Sequence, residues 1–157
     1  MFAVEPIDSI WSEFSSMCQA HWKETGCAKF KRPFNLCKER YLDYEKIGAY
    51  FQFTARNIGG KLVGIAGVYL SPCMQSQAMI ASEDIVYLAP EARRGRNALD
   101  LHKFIERFIF SRGAQEMIVS AEPQTRVGKI LGYLGYRVIT HTYCKKLGYP
   151  NGGIDPQ

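Results

Sequence analysis

Residues 84 to 101, Asp84-Ile-Val-Tyr-Leu-Ala-Pro-Glu-Ala-Arg-Arg-Gly-Arg-Asn-Ala-Leu-Asp-Leu101, decide how the rest of the chain is read. They pass from an apolar strand through a proline-marked turn and three arginines into an amphipathic helix. A strand that ends in a basic, glycine-containing turn at a helix N-terminus is suited to an anion. It offers free backbone N–H groups, the positive end of the helix dipole and arginine side chains together. Asn97 is placed to cap that helix, with Asp100 in its first turn.

Outward from this stretch the hydrophobic period changes twice. Residues 7–22 carry Ile7, Ile10, Trp11, Phe14, Met17 and Cys18 on one helical face. Lys29 to Pro33 is a basic break, and residues 35–47 are again helical, with Leu36, Tyr41, Tyr44 and Ile47 as the apolar side. Tyr50–Ala55 and Leu62–Leu70 read as strands joined by the turn Asn57-Ile-Gly-Gly60, and Met79–Leu88 is a third. The helix over 98–111 stops at Gly113. Glu116–Ala121 is a strand, Arg126–Tyr133 a short helix closed by Gly135, and Tyr136–Leu147 one or two final strands. Residues 1–147 thus form one α+β domain around a mixed sheet, and 148–157 a Gly/Pro-rich tail expected to be mobile.

Composition bounds the function. With 46% hydrophobic and 22% charged residues, the 157-residue chain is an ordinary globular domain. No apolar run reaches the roughly 18 residues of a membrane span, and the N-terminus lacks the features of a signal peptide, so a cytoplasmic location is expected. Five cysteines without a Cys-x-x-Cys pair are expected to stay reduced. Cys18, His21, Cys27 and Cys37 lack convincing metal-ligand spacing, so no metal is expected. A net charge of +5, with one tight knot at Arg93, Arg94 and Arg96, suits a small phosphorylated ligand better than a duplex.

Arg93-Arg94-Gly95-Arg96-Asn97-Ala98 resembles the pyrophosphate loop of the GNAT superfamily of acyl-CoA-dependent N-acetyltransferases, of form Gln/Arg-x-x-Gly-x-Gly/Ala, with Arg96 in place of the central glycine. Leu134-Gly135-Tyr136 and Tyr143-Cys-Lys-Lys-Leu147 are similar to segments that follow the last helix in that superfamily, so the resemblance covers about residues 47–147. His21-Trp-Lys-Glu24, Ser71-Pro72 and the Arg-x-Gly-Arg of the loop resemble a subgroup common in tailed bacteriophages.

The resemblance implies a mostly antiparallel sheet splayed between its fourth and fifth strands, flanked by helices. It implies acetyl-CoA as co-substrate, with the pyrophosphate on Arg93, Arg94, Gly95, Arg96, Asn97 and Ala98. Tyr87, Leu88 and Gln124 would stand along the rest of the cofactor, and Arg126 and Lys129 within reach of its phosphates. N–H groups near Leu88 would hold the oxyanion.

The activity implied is acetyl transfer to a primary amine by direct attack in a ternary complex, making the protein a transferase of the acyltransferase class. The alternative is a catalytically weak GNAT-fold module that docks on a host protein. Glu83 and Asp84 stand where such enzymes keep a carboxylate base. Adjacent strand residues face opposite ways, and strict alternation puts Asp84 with Val86 and Leu88 on the cofactor side. Leu131 occupies the usual place of the tyrosine acid, and Tyr133 is about 200° further around the helix. Tyr87, Tyr143, Ser120 or water are other sources of a proton. The acceptor side is expected from residues 20–50 and 71–80, whose Lys29, Lys31, Arg32 and Lys38 leave protein or nucleic-acid-borne amines open, as is a homodimer.

Overall fold

The computed structural model describes residues 1–25, 33–121 and 124–140. Along them run β1 (Phe2–Val4), α1 (Ile7–Glu24), α2 (Lys38–Lys46), β2 (Tyr50–Arg56), β3 (Leu62–Pro72) and β4 (Met79–Leu88). A 3-10 turn at Pro90–Ala92 leads into α3 (Asn97–Ser111), β5 (Glu116–Ile118) and α4 (Arg126–Tyr133). The strands form one sheet in the order β1-β2-β3-β4-β5, antiparallel except that β5 joins β4 in parallel. This is the expected mixed, mostly antiparallel α+β sheet, with one strand added at its edge.

The added strand, β1, is too short to show an alternation in sequence. Pairing holds it, with Phe2 packed against the α3-side core: Phe2, Ala3 and Val4 lie opposite Ala55, Thr54 and Phe53, and the terminal ammonium donates to the carbonyl of Arg56 at 2.8 Å. The hairpin between β2 and β3 closes as its sequence demands. Gly60 takes a φ of 79°, its N–H donates to the Asn57 carbonyl, and Lys61 N–H donates to Asn57 Oδ1.

Both faces of the sheet are covered, which is why β3 reads as a nearly unbroken apolar run. On one face Phe53, Ala66, Val68, Ala81 and Leu88 meet Leu101, Ile105 and Ile109 of α3. On the other, Tyr50, Ile65, Ile85 and Tyr87 meet Ile7, Ile10, Phe14 and Cys18 of α1. Each large side chain so buried contributes about 1.5–3 kcal/mol. Helix α2 buries no residue fully. It is tied to α1 by polar contacts: Glu45 accepts from the Ile7 N–H at 3.1 Å, at the positive end of α1, and Lys38 pairs with Asp8 at 2.5 Å.

Four expectations are corrected. Asn97 is the first helical residue rather than the cap, and its side-chain amide donates backwards to the Ala92 carbonyl at 2.9 Å. The strand expected over 116–121 ends at Ile118, because the chain there leaves β4. Residues 136–140 form no strand, while 141–157, with Tyr143, His141 and the tail, lie outside the described residues, as do Cys27, Lys29, Lys31 and Arg32. Strict alternation along β4 also fails. Gly67 of β3 faces Ile85 and Val68 faces Glu83, so Asp84 is an extra residue with no opposite number, a β-bulge.

β4 and β5 pair only over Ile80–Ser82 with Glu116–Ile118. From Glu83 to Leu88, β4 has no strand on that side among the described residues, so the sheet is splayed there.

His102 of α3 is 3% exposed, its Nδ1 has no partner, and burial pushes its pKa down. The unfolded chain therefore binds a proton near pH 6.5 that the folded protein refuses, so this residue weakens the fold as pH falls below that value. Urea denaturation at pH 7.5 and 5.5 is expected to show a smaller acid loss in His102→Gln than in the parent.

Candidate functional site

At the end of β4 the Ala89 N–H donates to the Val63 carbonyl of β3. Alternation along the strand then points the Leu88 N–H and C=O at the opposite edge, the splayed one. The Leu88 carbonyl is taken by Arg93 Nε at 2.7 Å. Its N–H faces the gap that β5 leaves. Beyond it the 3-10 turn leads to Gly95, whose φ of 60° only glycine adopts without strain. Asn97, Ala98 and Leu99 open α3, where N–H groups have no carbonyl one turn back. A strand edge whose Leu88 N–H has no partner among the described residues thus runs toward a helix N-terminus with several more.

The three arginines of the loop do different things. Arg94 is exposed. Arg96, in the glycine position of the motif, turns its side chain outward at 67% exposure, 3.8 Å from Asp100, and so leaves the loop unfilled. Arg93 is a strut. Its guanidinium grips Glu24 at the end of α1 with two bonds of 2.5 and 2.6 Å, holds the Leu88 carbonyl and covers the Tyr87 ring at 5.3 Å. This grip holds the Glu24 carboxyl below its usual range and raises the Arg93 pKa. His21 stands edge-on to Tyr87 at 5.8 Å. The His21–Glu24 and Arg93–Arg96 motifs, far apart in sequence, therefore meet in space.

The bulge sends the two acids of β4 to different faces. Glu83, opposite Val68, faces the α3 side at the root of the splay. Its Oε2 is buried without a partner, and burial, reinforced by the charge of Asp84, pushes its pKa up to about 7. Asp84 faces the α1–α2 side with Ile85 and Tyr87, not with Val86 and Leu88. Its Oδ2 is 3.4 Å from the hydroxyls of both Tyr41 and Tyr50, while one edge of the residue remains open to solvent. Burial raises the Asp84 pKa, opposed by the Tyr41 hydroxyl. The Cys18 thiol, buried and close to this carboxylate, is pushed up to about 12.

Three tyrosines line this acid, and in the sequence each reads as no more than helix or strand packing. Tyr41 and Tyr69 each meet Tyr50 edge-on, at 5.2 and 5.0 Å. Tyr50 fits because Gly67 has no side chain: a Cβ there would lie 1.9 Å from the Tyr50 hydroxyl. The glycine directly across from the bulge is the one signal of this pocket that the sequence carries.

The remaining candidates lie on or near α4. Leu131 is buried at 7%, whereas Tyr133 is 73% exposed, in keeping with their places around the helix. Gln124 is exposed and precedes the cap Thr125, whose side chain accepts from the Gly128 N–H. Arg126 reaches back to the Arg93 carbonyl at 3.4 Å, so α4 touches the loop. Ser120 is exposed. Among the described residues no cluster of metal-binding side chains occurs, and no helix is long and apolar enough to cross a membrane.

No protein-family model and no curated protein matches the sequence. Solved structures are similar in shape. A probable acetyltransferase is 16% identical, with 97% of this chain and 99% of that one covered and a TM-score of 0.71. The ribosomal-protein-alanine N-acetyltransferase of Brucella melitensis is 18% identical, over 94% and 98%, with a TM-score of 0.74. An aminoglycoside acetyltransferase from an uncultured soil metagenomic sample, solved with sisomicin, is 14% identical over 93% and 96%, at 0.69. The fold is that of the GNAT acetyltransferases.

Ionised Glu83 opposes folding. Its raised pKa means the folded state holds a proton between about pH 4.5 and about 7 that the unfolded state releases, so stability falls as pH rises through that window. Glu83→Gln is expected to raise Tm by a few degrees at pH 8, at roughly 2–4 °C per kcal/mol for a chain of this size, and to change little at pH 4.5. Differential scanning calorimetry at both pH values checks this.

Proposed function

We propose that the protein is an acyl-CoA-dependent N-acetyltransferase that moves an acetyl group from acetyl-CoA to a primary amine within a ternary complex. The observation that carries this reading is the splayed edge of β4. It joins a Leu88 N–H without a partner among the described residues to the α3 N-terminus on one side and to a bulged acid on the other.

In this reading the N–H groups of Gly95 to Ala98, with Arg94 and Arg96 close by, hold the pyrophosphate. Arg93 shapes the loop from behind by fixing Leu88 and Glu24, and Tyr87 forms the floor beneath its guanidinium. Gln124 borders the cofactor from the α4 side. The acceptor comes from the α1–α2 face, where Asp84 takes its proton. The nitrogen lone pair then attacks the thioester carbonyl carbon, the Leu88 N–H stabilises the oxyanion, and the C–S bond breaks as the amide forms. The second proton of the attacking nitrogen leaves as the amide forms and passes through water or Tyr133 to the thiolate, which departs as free thiol.

Glu83, on the opposite face, is second choice as base, because the solvent-open edge of Asp84 gives an amine direct access. The acceptor is a primary amine, on a small molecule, a protein or a nucleic acid. The resemblance of His21–Glu24 and the loop to the bacteriophage subgroup supports a phage origin, with action in the host cytoplasm.

A second reading, a GNAT-fold module without turnover, is favoured by Leu131 in the place of the usual tyrosine. The two separate on binding. Saturating acetyl-CoA, at about 100 times Kd, is expected to stabilise the enzyme by ~2.7 kcal/mol, a Tm rise of roughly 5–10 °C. Arg94→Glu/Arg96→Glu is expected to abolish most of the rise. The absence of any shift at millimolar acetyl-CoA would overturn the enzymatic reading. Asp84→Asn is expected to keep the shift and to lose roughly 10²–10⁴-fold in kcat with an amine acceptor, followed by release of free CoA thiol.

A further inference from the structure

Behind Asp84 lies a chain of two buried polar side chains. Tyr50 is 1% exposed and Gln52 fully buried, both on β2. The Gln52 side-chain nitrogen is 2.8 Å from the Phe53 carbonyl and 3.1 Å from the Ala66 carbonyl. Two carbonyl oxygens can face only the amide's NH2, so the orientation of this glutamine is fixed by its surroundings and both its hydrogens are committed. Its Oε1 can then only accept, and the group facing it, at 3.1 Å, is the Tyr50 hydroxyl. The same hydroxyl is 3.4 Å from Asp84 Oδ2. A phenol has one hydrogen. If it goes to Gln52, by the shorter of the two contacts, the phenol oxygen can show Asp84 only lone pairs.

We propose that Gln52 is a positioning residue for the base: by claiming the Tyr50 hydrogen it turns the phenol into an acceptor toward Asp84, which favours the carboxyl form of Asp84 over the carboxylate. The inference rests on the reading of Asp84 as the base. A proton drawn from the amine onto Asp84 Oδ2 then becomes a hydrogen bond to Tyr50 Oη, and no other proton moves. Directional wiring of this kind needs a phenol with little room to shift, and Tyr50 is 1% exposed, its hydroxyl seated in the space that the missing side chain of Gly67 leaves. The other groups facing Asp84 are Tyr41 from α2, which can donate to it at 3.4 Å, Cys18 from α1, Tyr69 from β3 and the adjacent Glu83. Of the two hydroxyls in hydrogen-bond reach, only that of Tyr50 is held on its far side by a buried acceptor.

Carboxyl NMR titration of the ligand-free protein reads this without reference to turnover. Gln52→Met, similar in length but without an acceptor, frees the Tyr50 hydrogen to turn to the carboxylate. The midpoint of Asp84 is expected to fall by about one unit, a tenfold loss of proton affinity. In a Tyr50→Phe background the same Gln52→Met change is expected to move Asp84 not at all. An unchanged or raised midpoint in Gln52→Met, or an equal fall in both backgrounds, overturns the proposal.

The parent protein offers a measurement that needs no variant. The Tyr50 hydroxyl proton is expected to keep its Overhauser contact with the Gln52 amide as Asp84 ionises, and loss of that contact overturns the proposal. In turnover assays with an amine acceptor, the acid limb of kcat/KM in Gln52→Met should move down by the same unit. If the titration shifts and this limb does not, Asp84 is not the base and the wiring stands.

Discussion

Between Gly67 and Val68 the ladder of β3 and β4 counts two residues on β3 against three on β4, and the surplus residue is Asp84. That mismatch fixes the face of every side chain around it on β4. It lets Ala81 and Glu83 share the α3 face with Val86 and Leu88, while Asp84, Ile85 and Tyr87 all look to α1. A strand without it would put Glu83 and Asp84 in each other's places relative to everything beyond them. A bulge also bends its strand, and here it lies just past Ser82, the last residue of β4 to pair with β5. The opening of the sheet and the presentation of the acid begin at one point.

Around that point the polar contacts divide by task. Gln52 and Tyr50 form an inner line behind Asp84 in which burial makes each hydrogen count, because an unsatisfied group there has no water to turn to. Arg93, Glu24 and the Leu88 carbonyl form an outer brace that joins the end of α1 to the loop before α3. The brace is partly solvated and adds little to global stability, as surface ion pairs generally do. Its effect is to fix the position of the loop that precedes α3.

Much of this is legible in the residues. Hydrophobic periods find α1, α2, β2, β3, β4, α3 and α4 within a few residues, because each carries a buried stripe or a strong turn at its end. Gly60, Gly113 and Gly135 mark positive φ correctly. β1 escapes such a reading since three residues hold no period, and β5 is overdrawn since Val119 to Ala121 remain apolar enough to read as strand after pairing has ceased. Both acids fall on β4 as expected, but their faces are exchanged: alternation assumes one residue per pleat, and a bulge is a property of two strands that neither sequence announces alone. The Arg93–Glu24 pair is not legible, because charge is visible in sequence and the identity of a distant partner is not.

Helix α2 completes one wall beside Asp84 through Tyr41, yet it buries no residue fully and is fastened by Glu45, Lys38 and the edges of aromatic rings. Its outward positions are therefore free of the packing constraints that fix the sheet. Substitutions there can remodel the approach to the acid while the folding free energy of the domain stays nearly constant. A lineage carrying this architecture can vary the surface beside Asp84 along α2 by ordinary point mutation, with the sheet held invariant a few ångströms away.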